Sequence, residues 1–195
     1  MKPMKPGNML EIRWHGRGGQ GAKTAADFIA SCSIKEGKYS QGFPDYGPER
    51  MGAPIRGFTR ISEEPIRLHC PIDRPDIVVV LDETILDSVD VTAGLPDDGV
   101  LIVNTQDSPG DLRRKHGIEA ARIYTLDATK IAFDEIGRPI PNTPMVGALV
   151  KITGILGLDG VIEVLKEEFK PKFNESIIEG NLKAVRRAYE EVRGE

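Results

Sequence analysis

The chain has 195 residues, 39% of them hydrophobic, which is enough to bury one ordinary core, so a single domain is expected. Its formal net charge of −4 and its pI near 5.5 leave no basic stripe, which argues against nucleic acid as a partner. No apolar stretch is long enough to cross a bilayer and no signal peptide is recognisable, so we expect a cytoplasmic chain without membrane contact.

The first part of the chain predicts a strand, a glycine-rich loop and a helix in immediate succession. Residues 1–8 contain two lysines and two prolines and are expected to form a disordered tail, with the domain spanning residues 9–195. A strand of alternating apolar residues starts at Leu10 and leads directly into residues 16–21, where four of six residues are glycine. Residues 22–34 then have the apolar spacing of a helix.

This glycine-rich loop has the composition of an anion-binding site. Glycine tolerates positive φ, so successive N–H groups can face one concavity, and the following helix directs the positive end of its dipole to the same place. A phosphate, pyrophosphate or carboxylate is the expected ligand. A tight turn whose glycines serve only packing is the alternative. The residues predicted to bind such a ligand are Gly16, Arg17, Gly18, Gly19, Gln20, Gly21 and Lys23.

The loop resembles two nucleotide-binding motifs. It matches G-x-G-x-x-G, but a Rossmann oxidoreductase needs an acid at the end of the second strand, and residues 39–43 supply none. It also comes within one residue of a Walker loop, because one residue is inserted before Lys23 and Thr24. The segment IVVVLDE, residues 77–83, resembles a Walker B strand with its acid at Asp82. A P-loop-like nucleotide-binding protein is therefore an alternative interpretation.

The middle of the chain is predicted to alternate between strands and short helices. The strand at residues 77–81 is apolar on both faces, which is typical of a parallel sheet covered by helices on both sides. The predicted elements are strands at 38–41, 54–62, 65–70, 77–81, 99–104 and 121–127, a surface loop at 42–53, and short helices at 84–89 and 111–116. The strands at 54–62 and 65–70 are expected to form a β-hairpin that carries Arg56, Arg60 and Arg67.

The last third is predicted to be helical. Asn142, Thr143 and Pro144 have the pattern of a helix start, and the predicted helices are residues 145–156, 160–169 and 174–193. The fold class that follows is α/β: a three-layer domain with a mostly parallel sheet, an inserted β-hairpin and a helical C-terminal part.

The sequence offers no evident catalytic residue and no metal site. Cys32 and Cys70 are 38 positions apart with no C-x-x-C, so this chain by itself is not expected to hold an iron–sulfur cluster. Both cysteines are predicted to be small core residues rather than a disulfide. The three histidines are scattered, and His15, beside the glycine-rich loop, is expected to orient that loop by hydrogen bonding.

Four segments together carry a resemblance to a known family. They are GRGGQG (16–21), FPDYGPERMGAPIRGFTRIS (43–62), PDIVVVLD (75–82) and NTPMVGALVKITGIL (142–156). In this order they resemble the gamma subunit of 2-oxoacid:ferredoxin oxidoreductases, most closely the pyruvate type. The resemblance covers essentially the whole chain after residue 8.

The resemblance implies a role within a larger enzyme. The complete enzyme of this family oxidatively decarboxylates a 2-oxoacid to its acyl-CoA and passes the electrons to ferredoxin. This chain would act beside alpha, beta and delta subunits, cover the active site and help bind coenzyme A (CoA), whose phosphates would face the glycine-rich loop. Thiamine diphosphate, magnesium and iron–sulfur clusters are implied on the partner subunits, so we expect no activity from the isolated chain.

The resemblance also implies an interface. Tyr46, Glu49 and Arg50 would lie on a loop that faces the catalytic subunits, and a solvated surface loop is the alternative. Pyruvate, 2-oxoisovalerate and other 2-oxoacids all remain open as substrates, because the contacts to the substrate side chain are expected on other subunits.

Overall fold

The computed structural model describes residues 9–45, 52–119 and 121–195. Its strands are β1 (Met9–Arg17), β2 (Tyr39–Pro44), β3 (Pro54–Ser62), β4 (Ile77–Val80), β5 (Val100–Asn104), β6 (Arg122–Leu126) and β7 (Arg193–Gly194). Its helices are α1 (Ala22–Lys35), α2 (Pro109–His116), α3 (Ala128–Ile136), α4 (Asn142–Thr153), α5 (Leu158–Phe169) and α6 (Glu175–Glu191). A 3₁₀ turn occupies Glu83–Asp87.

The described strands form one sheet in the order β2-β3-β1-β4-β5-β6-β7. Strands β1, β4, β5 and β6 are parallel to one another, whereas β3 and β2 on one side and β7 on the other pair in antiparallel fashion. All residues of β4 and β5 are buried, which their apolar sequences IVVV and VLIVN allow. A strand that is buried on both faces requires a covering layer on each side of the sheet.

Both covering layers are present. On one face, α1, α3, α4, α5 and α6 pack against sheet residues that include Ile12, Trp14 and Ile102. On the other face, the 3₁₀ turn and α2 pack around Val78 and Val80. The predicted three-layer α/β fold with a helical C-terminal part is thus confirmed.

The predicted hairpin is wrong in one of its two strands. Residues 54–62 form β3, but residues 65–70 are not a strand. Strand β3 is already paired on one side with β1 and on the other with β2, so it has no hydrogen-bonding edge left for residues 65–70. Its hairpin partner is β2, which continues to Pro44 instead of ending at residue 41.

One helix was missed by the sequence analysis, and the expectation for one cysteine is corrected. Helix α3 was not predicted, although Asp127 gives it a side-chain cap by accepting a hydrogen bond from the N–H of Lys130 at 2.9 Å. Cys32 is buried as expected, but Cys70 is exposed because its segment does not enter the sheet.

The tail predicted at residues 1–8 lies outside the described residues. None of the helices in the described ranges combines the length and the apolar character that a membrane span needs.

Candidate functional site

The carboxyl ends of β1 and β4 mark the point where the strand order of the sheet changes direction. From β1 the chain passes through α1 to β2 and β3 on one side, and it then returns to β4 on the other side. In open α/β sheets, ligands bind in the crevice at such a point. A cleft of about 610 Å³ lies along this edge, and Gln20, Asp82 and Asn104 line it.

The glycine-rich loop, residues 16–21, lies at this edge directly after β1. Gly19 has φ +97°, and a Cβ atom on it would meet nothing within 4 Å, so the loop is open at this position. Three other amides of the loop bond within the protein: Gln20 N–H donates to the Arg17 carbonyl at 3.0 Å, Gly18 N–H to the Ala53 carbonyl at 3.2 Å, and Arg17 N–H to the Gln20 side chain. The open part of the loop is therefore at Gly19, next to the start of α1.

Two helix starts meet beside this loop. Gly21 is the N-cap of α1 with φ +83° and makes no side-chain cap, and α4 also begins without a side-chain cap. A Cβ atom on Gly21 would lie 2.5 Å from Nδ2 of Asn142, the first residue of α4. The positive dipole ends of both helices thus lie at the same edge of the molecule, which favours a negatively charged ligand there.

Arg17 ties the loop to the end of β4. Its guanidinium Nη2 donates to Thr84 Oγ1 at 2.8 Å, and its Nε lies 3.4 Å from a carboxylate oxygen of Asp82. Gln20 completes the group, since its Nε2 donates to Asp82 at 2.7 Å and its Oε1 accepts from the Arg17 N–H at 2.7 Å. Burial acts to raise the pKa of Asp82, but hydrogen bonds from Thr84 and Gln20, with the charge of Arg17, hold that pKa below its usual value. The acid of the Walker B-like segment is thus engaged by its neighbours.

The remaining predicted site residues lie in two different parts of the chain. Lys23 is exposed in the first turn of α1, next to the loop. Tyr46, Glu49 and Arg50 lie outside the described residues. Gly52, which follows this segment, lies beside the glycine-rich loop, because Arg17 Nη1 donates to its carbonyl at 3.2 Å.

His15 was expected to orient the glycine-rich loop by hydrogen bonding, but its side chain binds elsewhere. It is buried, and its ring nitrogen Nε2 accepts a hydrogen bond from Arg13 Nε at 3.1 Å rather than one from the glycine-rich loop. Arg13 also donates to the carbonyls of Val91 and Ala93, at 3.0 and 2.7 Å. Burial, aided by the charges of Arg13 and Arg56, lowers the pKa of His15 to about 3, so this histidine is neutral at physiological pH. Its role in the structure is to anchor a buried arginine.

Three residues of this edge were missed as site residues by the sequence analysis. Thr84 binds Arg17, and Asn142 contacts the glycine-rich loop. Asn104 joins β5 to its neighbours, because its Nδ2 donates to the Leu81 carbonyl at 2.9 Å and its Oδ1 accepts from Thr129 N–H at 3.1 Å. The position of each residue after a strand or at a helix start was the only available signal.

Within the described ranges, no group of three or more His, Cys, Asp or Glu side chains is arranged to hold a metal ion. Burial raises the pKa of the Cys32 thiol to about 12, so it stays protonated at neutral pH.

Comparison with known proteins gives a consistent result. The family model described as pyruvate ferredoxin/flavodoxin oxidoreductase matches residues 11–191. The pyruvate synthase subunit PorC of Thermotoga maritima is 49% identical over 184 residues, which cover 94% of this chain and 95% of that protein. The pyruvate/ketoisovalerate oxidoreductases common subunit gamma of Thermococcus kodakarensis is 49% identical over 181 residues, covering 93% and 96%.

Structural comparison agrees. The crystal structure of pyruvate oxidoreductase subunit PORC from Thermotoga maritima superimposes with a TM-score of 0.85 and 46% identity, over 96% of this chain and 98% of that one. The order of the motifs, the whole-length match and the shared fold confirm the resemblance noted in the sequence. The chain belongs to the pyruvate ferredoxin/flavodoxin oxidoreductase family, and within it to the gamma-type subunits of the 2-oxoacid:ferredoxin oxidoreductases.

Proposed function

We propose that this chain is the gamma subunit of a heteromeric pyruvate synthase. That enzyme oxidatively decarboxylates pyruvate to acetyl-CoA and CO₂ and transfers the electrons to ferredoxin. Residues 9–195 would act as one gamma-type domain that covers the active site and helps bind CoA. The names of the relatives, a pyruvate synthase subunit and a common gamma subunit, support this proposal.

One structural observation carries the CoA part of the proposal: two helices, α1 and α4, begin without side-chain caps and meet at Gly21. CoA carries a pyrophosphate and a 3′-phosphate, so it presents several negative charges to its site. Helix N-termini and an open glycine loop bind such groups through backbone N–H donors and the helix dipole. The exposed Lys23 adds a full positive charge at the same place.

Three acids line the cleft in the described structure, Asp82, Glu83 and Asp127, and the one bonded to the glycine-rich loop does not oppose an anionic ligand strongly. Asp82 forms an ion pair with Arg17 and accepts hydrogen bonds from Gln20 and Thr84. Its negative charge is therefore compensated within the protein. The residues that are present thus fit the phosphates of CoA.

The chemistry of the reaction is proposed to belong to partner subunits. Thiamine diphosphate, magnesium and the iron–sulfur clusters would be held by the alpha, beta and delta subunits, and ferredoxin would dock on the complex. The two cysteines of this chain support that division, since Cys32 is a buried protonated thiol and Cys70 lies apart from it on the surface. We also propose that the chain works in the cytoplasm.

The second candidate substrate is 2-oxoisovalerate. The relative from Thermococcus kodakarensis is named as a subunit common to pyruvate and ketoisovalerate oxidoreductases. A gamma subunit shared in this way would contribute the CoA contacts for either 2-oxoacid, while the partner subunits would select the side chain.

The test compares variants of this chain in the assembled enzyme. Lys23→Ala is expected to raise the apparent KM for CoA about tenfold, because a charge-assisted contact contributes about 1.5 kcal/mol or more. Arg17→Ala is expected to raise it as well, because it removes the bridge from the loop to Thr84 and Asp82. The KM for pyruvate should change less than about twofold, within the scatter of neutral surface changes.

Lys35→Ala is the matched control, since Lys35 is an exposed lysine in the last turn of the same helix. It should leave both KM values unchanged. A rise in the KM for pyruvate with an unchanged KM for CoA would contradict the assignment of the glycine-rich loop to the CoA site.

A further inference from the structure

A second cavity lies at the same edge of the molecule as the glycine-rich loop. It has a volume of about 320 Å³ and is enclosed by the ends of α1, α4, α5 and α6 together with the connection between α3 and α4. We call it the helix-end pocket, and its walls include Thr24, Phe28, Asn142, Val146, Phe169 and Phe173. Its volume falls within the range of small-molecule sites in proteins.

The walls of the helix-end pocket are mainly apolar and aromatic. Phe28 and Leu165 are buried at its base. Phe169 and Phe173 form a pair at its side, with ring centroids 5.1 Å apart and ring planes tilted by 56°. Phe173 is 44% exposed, so its ring is accessible to a ligand in the pocket. Such a wall suits a flat, weakly polar ring system.

The rim of the pocket is positively charged. Arg138 and Lys172 both line it and are both exposed, whereas Glu168 is the one acid among the described residues of its lining. The ligand that fits is therefore an aromatic ring that carries a phosphate.

The helix-end pocket and the glycine-rich loop have a neighbouring residue in common. Asn142 lines the pocket and also faces Gly21 in the loop. Thr24, on the pocket wall, lies three residues after Gly21, which is about 5 Å along the axis of α1. One ligand molecule can thus reach both places.

We propose that the helix-end pocket binds the adenosine end of CoA. The adenine ring lies against Phe173 and Phe169, the 3′-phosphate meets Arg138 and Lys172, and the pyrophosphate extends to the glycine-rich loop. This inference rests on the proposed function, because it extends the CoA site of this chain from the loop into the pocket.

The test measures dissociation constants with the assembled complex by isothermal titration calorimetry. The probes are CoA, adenosine 3′,5′-bisphosphate, which has only the nucleotide end, and pantetheine, which has only the thiol end. Phe173→Ala removes the aromatic wall without changing charge. Its control is Tyr39→Ala, which removes a 49% exposed aromatic side chain at the start of β2 that lies outside the linings of the helix-end pocket and of the cleft.

A second variant probes the positive charges on the rim of the pocket. It also keeps the proposal testable if Phe173→Ala fails to fold. It is Arg138→Gln combined with Lys172→Gln. The matched control is Lys183→Gln with Arg186→Gln, two exposed cations of α6 outside the pocket lining. Thermal melts and size-exclusion chromatography confirm that each complex is assembled before it is titrated.

Both pocket variants are expected to raise the dissociation constants of CoA and adenosine 3′,5′-bisphosphate about tenfold, while binding of pantetheine stays unchanged. Both controls should stay within about twofold of the unaltered complex. Unchanged CoA binding in the pocket variants, or an equal loss of pantetheine binding, overturns the pocket assignment. If Lys23→Ala still weakens CoA in that case, the proposed function stands without the pocket, and if no variant affects CoA, both proposals fail.

Discussion

Gly21 shows how a single missing side chain allows two helices to begin at one place. Its φ of +83° is a left-handed conformation that glycine adopts without strain, and a Cβ atom there would be 2.5 Å from Nδ2 of Asn142. Gly19 has a comparable φ of +97°, but a Cβ atom there meets nothing within 4 Å. The two positions therefore separate the cost of backbone strain from the cost of a steric clash.

Gly21→Ala is expected to lower the free energy of unfolding by about 2 to 3 kcal/mol, because it combines strain at positive φ with displacement of Asn142. Gly19→Ala should lower the free energy of unfolding by only about 1 kcal/mol, because it introduces strain at positive φ without a steric clash. Urea unfolding of the two variants beside the unaltered chain measures both values. Equal losses would mean that Asn142 moves away without cost and that the contact between the helix starts is loose.

His15 gives the protein a stability that depends on pH. Its folded-state pKa of about 3 lies below its ordinary value of 6.5, because burial disfavours the charged ring. Between these values the unfolded chain binds a proton that the folded chain does not bind. The contribution of His15 to stability is therefore complete above about pH 6.5 and is lost as the pH falls toward 3.

Lowering the pH from about 7 to about 5.5 should reduce the free energy of unfolding by about 1 kcal/mol through this residue. His15→Gln should flatten this pH dependence, whereas His69→Gln, at an exposed position, should keep it. Urea unfolding at the two pH values is the measurement. The same slope in His15→Gln and in the unaltered chain would contradict the assignment.

Among the strands, the pairing of β1 with β3 contains a buried ion pair. Glu11 and Arg60 are direct cross-strand partners, and Arg60 Nε donates to a carboxylate oxygen of Glu11 at 2.9 Å. Arg60 is 1% exposed, and its Nη1 has no hydrogen-bond partner in the described structure. The guanidinium group of Arg60 lies over the Phe43 ring, with its central carbon 5.3 Å from the ring centroid. The pair fixes the register of the two strands at the cost of desolvating two charges.

Glu11→Ala is expected to lower the free energy of unfolding by about 3 kcal/mol or more, because it leaves a buried arginine without its carboxylate. Combining it with Arg60→Met should restore most of this loss, since no uncompensated charge then remains. Asp45→Ala is the control: it removes the carboxylate of an ion pair with Arg56 whose two side chains are both partly exposed, and it should cost less than about 1 kcal/mol. Chemical denaturation of the four proteins checks this, and a double variant no more stable than Glu11→Ala would contradict it.

The elements with strong local signals were predicted well. Strand β4 and the final helices follow from apolar runs and from helical periodicity, which depend only on neighbouring residues. The strand expected at residues 65–70 had a plausible local pattern, but β3 was already paired on both sides. Helix α3 was missed although its cap at Asp127 was visible in the sequence.

For the whole molecule, the proposed role is that of one subunit among several. The segment that carries Tyr46, Glu49 and Arg50 lies outside the described residues, and its interface role remains a prediction. It is flanked by β2 and β3, and Gly52, just after it, is bound by Arg17. An interface at this segment would therefore lie next to the proposed CoA site.

Replacing both Tyr46 and Arg50 with alanine is expected to impair assembly and to leave the melting temperature of the isolated chain within a few degrees, because tyrosine and arginine are enriched at interface hot spots. Size-exclusion chromatography with the partner subunits, run beside thermal melts of the single chain, measures both effects. The control is Tyr39→Ala with Arg67→Ala, two exposed residues outside this segment. Normal assembly together with a strongly lowered melting temperature would show that the segment is structural.

By itself, the sequence determined the class of the fold, the glycine-rich loop and the family, because these depend on residue patterns that are local or that occur in a fixed order along the chain. Only the tertiary structure decided which distant residues meet: Gly21 with Asn142, Arg17 with Asp82, and Glu11 with Arg60. The physical reason is that these contacts depend on the order of strands in the sheet and on the packing of helices over it. Neither is encoded in the spacing of residues within one segment.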